Sequence, residues 1–255
     1  MKRTLALVVL AFLVAAVPEK NFSQEGATVP EVTPAEVYRK MAEGTPPLLI
    51  NTMSLIECRD HRILGSQCVP VPDMAGRWKG PEDKSREIVF YCESPWCLRS
   101  RRAAETALER GFQKVFVMTG GLPAWKEAGY DVSSEKRIPR VGIVSIKPAF
   151  LSRWLSGENG PLLLDIRTPG EFEADHMADS VNVPFEILHQ VWRDLPMDRS
   201  IVVIDDRGHR SFLAACYLFE RGFVDIRRLF GGMSNWKAYQ SKGNQNHGIE
   251  KTAEN

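Results

Sequence analysis

This chain of 255 residues is short of net charge, of long hydrophobic runs and of metal-ligand spacing. The formal net charge is +1, so no global field draws it to nucleic acid or to an acidic membrane surface. The apolar run from Leu5 to Val17 holds thirteen residues, too few for a comfortable transmembrane helix of about 20. No cysteine pair shows the short doublet spacing with companion histidines that would hold zinc. What remains is ordinary soluble composition, 44% apolar and 25% charged, at a length that suits two domains.

The apolar run has a different reading. Lys2 and Arg3 precede it and small residues close it at Ala15 and Ala16, the layout of an export signal over residues 1–17. An uncleaved anchor is the alternative. No cysteine follows the run to carry a lipid. The expectation is an exported, periplasmic protein with no membrane attachment after cleavage. Its five cysteines (Cys58, Cys68, Cys92, Cys97 and Cys216) are odd in number, so an oxidising compartment leaves at least one thiol unpaired.

The two halves of the chain repeat each other. Leu48-Leu49-Ile50-Asn51 matches Leu162-Leu163-Leu164-Asp165 at an offset of 114, and Ile88 to Tyr91 matches Ile201 to Ile204 at 113. Arg99-Ser100 matches Arg210-Ser211, and Gly120-Gly121 with Trp125 matches Gly231-Gly232 with Trp236, both at 111. The change from 113 to 111 places a two-residue insertion between Tyr91 and Arg99. In each half short β-rich runs alternate with amphipathic stretches that stop at Gly111 and Gly222, which predicts parallel strands joined by crossover helices. The boundaries read as domains over 30–132 and 142–240, a polar linker over 133–141, and a disordered tail over 241–255.

The run from Leu162 through Asp165-Ile166-Arg167-Thr168-Pro169-Gly170-Glu171-Phe172 to Asn182-Val183-Pro184 resembles the opening signature of the rhodanese family. Ile201 to Ser211, Gly231-Gly232 and Trp236 complete that resemblance. It implies an α/β fold of two tandem rhodanese-like domains, each a parallel sheet flanked by helices. It also implies sulfur transfer through a cysteine at the end of a central strand. There, loop amides and a helix N-terminus favour thiolate and attract an anionic donor. Sulfane sulfur would pass through a persulfide to a thiol or to cyanide, with no cofactor and no metal. The partners implied are a small sulfur-containing donor and a thiol acceptor.

The matching position is Cys92 in the first half and Asp205 in the second. A carboxylate cannot carry sulfane sulfur, so Asp205 and Arg210 mark a degenerate site with a structural or recognition role. In the first half the loop residues Glu93, Ser94, Trp96, Cys97, Leu98, Arg99 and Ser100 are the candidates for substrate or loop binding. This loop has six residues between cysteine and arginine, where the common family loop has four. The phosphatase relatives use five, and their arginine position is held here by Leu98. The opening signature is also eroded, with Asn51 and Met53 in place of Asp165 and Arg167.

Cys97 leaves several roles open: a disulfide with Cys92 that switches the site off, a resolving thiol that releases sulfide from a Cys92 persulfide, a thiol-redox module, or a staple in a non-catalytic binding protein. Cys58 and Cys68 either pair or leave a free core thiol. Cys216, Trp125 and Trp236 read as packing residues, and Arg101 and Arg102 as a solvated helix face.

Overall fold

The computed structural model describes residues 29–94, 97–133 and 137–252. The expected export signal, Trp96 and part of the linker lie outside them.

The first half runs β1 (Glu31–Val32), α1 (Pro34–Ala42), β2 (Leu48–Asn51), α2 (Leu55–Asp60), β3 (Arg62–Ile63), β4 (Gln67–Cys68), α3 (Val71–Gly76), β5 (Ile88–Tyr91), α4 (Leu98–Glu109), β6 (Val115–Met118), α5 (Gly121–Glu127) and β7 (Val132–Ser133). The second runs β8 (Val144–Ile146), α6 (Pro148–Leu155), β9 (Leu162–Asp165), α7 (Pro169–Ala174), β10 (Val181–Asn182), α8 (Leu188–Val191), β11 (Ile201–Ile204), α9 (His209–Phe219), β12 (Ile226–Leu229) and α10 (Gly232–Thr252).

Each half builds one five-stranded parallel sheet. The orders, β1-β6-β5-β2-β4 and β8-β12-β11-β9-β10, are the same topology repeated. The first half adds an antiparallel pair of β3 with β7. Alternation along the strands explains why both faces need cover. Leu48, Ile50, Ile88 and Phe90 pack on one face with Ala103, Ala104 and Ala107 of α4, while Leu49, Val89 and Tyr91 pack on the other with Val37, Leu122 and Trp125. The second half repeats this. Val203 and Leu164 face Ala214 and Ala215 of α9, and Val202 and Ile204 face Leu151 and Met233.

Residues 241–252, expected to be disordered, continue the helix that begins at Gly232. Propagating a started helix is cheap, and no proline interrupts this segment. Ser133, expected to open the linker, still belongs to β7. Ile138 of the linker is fully buried in the second core, which also takes Ile56 of α2. Helix α2 thus rests on the second half, against α9.

The erosion of the first half's signature has a physical counterpart. In the second half Arg167 donates to both oxygens of buried Asp165, with Nε at 3.0 Å from each and Nη2 at 2.6 Å from Oδ2. In the first half both charges are gone together. Asn51 Oδ1 keeps only the turn contact, accepting from the Met53 amide at 2.9 Å, as Asp165 Oδ1 accepts from the Arg167 amide. Deleting both members avoids leaving one buried charge unpaired. Arg167→Met alone should therefore cost about 3–5 kcal/mol, and adding Asp165→Asn should recover most of it. Urea unfolding of the two single variants and the double variant measures the coupling.

Candidate active site

The site begins where β5 ends. Cys92 is buried, and the chain turns out through exposed Glu93 and Ser94 before returning at Cys97, the residue that precedes α4. Two constraints fix the turn. The Leu122 amide donates to the Cys92 carbonyl at 2.8 Å, and the Cys97 amide donates to the Ser94 carbonyl at 3.2 Å. The first requires the double glycine. Gly121 has φ +59°, and a Cβ there would overlap the Cys92 carbonyl oxygen. The second half repeats the arrangement, with Met233 donating to the Asp205 carbonyl at 2.8 Å and Gly232 at φ +60°.

The loops differ in what they enclose. In the second half the Asp205 carboxylate accepts three backbone N–H groups: Gly208 at 2.6 Å, Arg210 at 2.7 Å and Ser211 at 2.9 Å. This is an anion cradle at the start of α9, filled by the chain's own carboxylate. It shows what the shorter loop does to a negative group at this position. In the first half Cys92 and Cys97 are joined as a disulfide with Cα atoms 6.3 Å apart, a separation that suits the bond.

Cys97 is the accessible partner of that bond. It is half-buried, stands at the N-terminus of α4, and its Sγ lies 3.2 Å from Arg99 Nε. Ser100 Oγ donates to the Cys97 carbonyl, and Leu98 points to solvent. Beneath the loop the Tyr91 hydroxyl accepts from the Ile63 amide and shares a hydrogen bond with Ser66. Burial pushes its pKa up to about 12, so it stays neutral. Partial desolvation raises the Glu93 carboxyl even though the side chain reaches solvent; Lys126 opposes that shift and Glu57 adds to it.

Cys58 and Cys68 form a second disulfide, with Cα atoms 6.1 Å apart. It ties α2 to β4. The equivalent of Cys68, Asn182, makes a related tie without a covalent bond: its Nδ2 donates to the Asp165 and Arg167 carbonyls at 3.0 Å each. Cys216 is a buried free thiol in the second core.

Sequence reasoning missed two side chains at the site, Glu57 and Glu186. Glu57 reads in sequence only as the third residue of a capping box begun by Ser54, which the structure contains. Its carboxylate also faces Arg99 of its own half, Nη1 at 3.3 Å, and Arg210 of the other half, Nε at 3.5 Å. Glu186 faces the same two arginines at 3.3 and 3.6 Å. Burial raises the Glu57 carboxyl, and the two guanidinium groups more than offset it, so its pKa ends below the usual carboxylate range. Arg99 and Arg210, expected as loop-binding residues of separate sites, meet in one charge cluster between the halves. Arg101 instead pairs with Glu31 at 2.7 Å.

The chain is similar to known proteins. The rhodanese-like domain profile matches residues 33–128 and 148–239. A thiosulfate sulfurtransferase GlpE from Pseudomonas syringae is 35% identical over 80 residues, covering 31% of this chain and 76% of that protein. A sulfurtransferase from Allochromatium vinosum is 33% identical over 86 residues, covering 34% and 80%. Among solved structures, a rhodanese-related protein from Thermoplasma volcanium shares 30% identity over 38% of this chain and 92% of its own, with a TM-score of 0.35.

The cradle of Asp205 can be tested directly. Asp205→Ala leaves three amides without their acceptor and should destabilise the protein by about 2–4 kcal/mol. Asp205→Asn, which keeps one oxygen, should lose less. Urea midpoints at constant slope give both values.

Proposed function

The chain belongs to the rhodanese-like domain family in both of its halves, and from that membership we propose that it is an exported sulfurtransferase working through Cys92. The carrying observation is positional. Cys92 stands where the second half holds a carboxylate on three amides, a place suited to negative charge. With the disulfide reduced, the Cys92 thiolate attacks the sulfane sulfur of a thiosulfate-like donor. Sulfite leaves with the bonding electron pair, and Cys92 keeps the sulfur as a persulfide. A thiol or cyanide then takes that sulfur and returns the thiolate.

A second reading is favoured by the Cys92–Cys97 bond itself. The Cys97 thiolate attacks the Cys92 sulfur of the persulfide, sulfide departs, and the disulfide forms. The two electrons that reduce sulfane sulfur to sulfide come from the two cysteines. Two external thiols then restore them: the first attacks the more accessible Cys97 and frees the Cys92 thiolate, and the second resolves the mixed disulfide and leaves as the external disulfide. Export is supported by the charged and apolar N-terminal residues and by four of the five cysteines being paired.

Intact mass after thiosulfate treatment of the reduced protein separates these readings. The Cys97→Ser variant should gain one sulfur and hold it, and Cys92→Ser should gain none. Continued turnover to cyanide by Cys97→Ser supports transfer. Sulfide release by the wild type that Cys97→Ser abolishes supports the resolving role. Sulfur uptake by Cys92→Ser would overturn both.

A further inference from the structure

The second half holds Asp205 where the first holds Cys92, yet it supplies two side chains to the surroundings of the first half's cysteine pair. Arg99 connects them. Its Nε lies 3.2 Å from Cys97 Sγ, while its Nη1 lies 3.3 Å from both Glu57 and Glu186. Arg210 closes the ring on the same two carboxylates. Going round, the charges alternate: Arg99, Glu57, Arg210, Glu186. Both carboxylates are buried and Arg99 is nearly so, which leaves little water to screen them. We infer that Glu186 and Arg210 are positioning residues for the Cys92–Cys97 pair, and that the second domain sets the dithiol–disulfide balance of its neighbour through Arg99.

The physical argument rests on charge balance. The ring holds two positive and two negative groups. Removing the Glu186 charge leaves an excess of positive charge beside Cys97, which favours its thiolate and therefore the open dithiol. Removing the Arg210 charge leaves two carboxylates competing for Arg99, which disfavours the thiolate and favours the closed disulfide. The other charges that act on the loop and the ring are Glu93, Asp60 and Lys126 of the first half and Glu171 and Asp205 of the second, and both changes leave them intact. The second half is held in place independently of the ring. Arg59 pairs with Glu220 through two contacts at 2.8 and 2.6 Å, and Arg140 reaches Asp60 at 2.5 Å. Removing one ring charge should therefore leave the halves docked.

The inference goes beyond the sulfur-transfer reading and survives its failure, because the measurement involves no sulfur donor. The full chain is equilibrated at fixed pH with mixtures of reduced and oxidised dithiothreitol. Reduction breaks the Cys92–Cys97 bond and forms the cyclic disulfide of the reagent, with two electrons passing to the protein. The two thiol protons go to Cys92 and to Cys97, or to solvent where Cys97 remains thiolate. Alkylation and peptide mass mapping then count this pair separately from Cys58–Cys68.

Glu186→Gln should move the equilibrium constant about three- to tenfold toward dithiol, and Arg210→Gln by a similar factor toward disulfide. General damage to the interface would move both variants in the same direction. Glu186→Asp and Arg210→Lys, which keep the charges, should stay within about twofold of the wild type. Shifts of the same sign, or none beyond about twofold in the glutamine variants, overturn the inference. If Arg210→Gln does not fold, the contrast between Glu186→Gln and Glu186→Asp decides the matter alone.

Discussion

One backbone hydrogen bond organises both halves: the amide after the double glycine donates to the carbonyl of the residue that follows the central strand. It holds the loop after the last β12-type or β6-type strand against the start of the active-site loop. The close approach leaves no room for a side chain at Gly121 or Gly232. Everything distinctive about the site follows from how the chain leaves that fixed point. In the second half it turns at once, through Gly208 at φ +90°, and the following amides close on the side chain of Asp205. In the first half it leaves through exposed Glu93 and Ser94, and the residue that precedes the helix is a cysteine.

The half that carries Asp205 has two roles. Its cradle is filled by a carboxylate, so it offers an external anion no free place, and the same three bonds stiffen the start of α9. Helix α9 in turn carries Arg210, whose amide binds Asp205 while its side chain reaches Glu57 across the junction. Asp205 thereby fixes the start of the helix whose arginine meets the first half. A carboxylate at position 205 and an arginine at position 210 are compatible, because one of the arginine's two carboxylate partners, Glu57, lies in the neighbouring half.

Much of this was legible in the sequence. The offsets between halves gave the topology, because strand and helix periodicities repeat with the same spacing. They also located the inserted loop and aligned Cys92 with Asp205. Three features were not legible. Glu57 shows in sequence only its local task as a helix cap, and nothing local says that its carboxylate also faces two arginines. Glu186 has no counterpart in the repeat, so comparing the halves passes over it. The tail beyond residue 240 lacks apolar periodicity, yet it continues a helix whose start is packed by Met233 and Trp236. In each case the deciding contact is long-range, and pattern reading weighs only neighbours.

The two halves also reached stability by different means. The second keeps a buried Asp165–Arg167 pair and an asparagine that bridges the turn after β9. At the corresponding places the first has neutral Asn51 and Met53 and a disulfide from α2 to β4. A covalent tie limits the unfolded chain and does not depend on a buried charge pair. It does depend on an oxidising environment. Helix α2, held by Cys58–Cys68, is also the element that presents Glu57 to Arg99 and Arg210. Reduction of that outer bond would loosen the support of the charge ring beside Cys97. The first half therefore rests its α2 tie and its loop on the same element, cysteine.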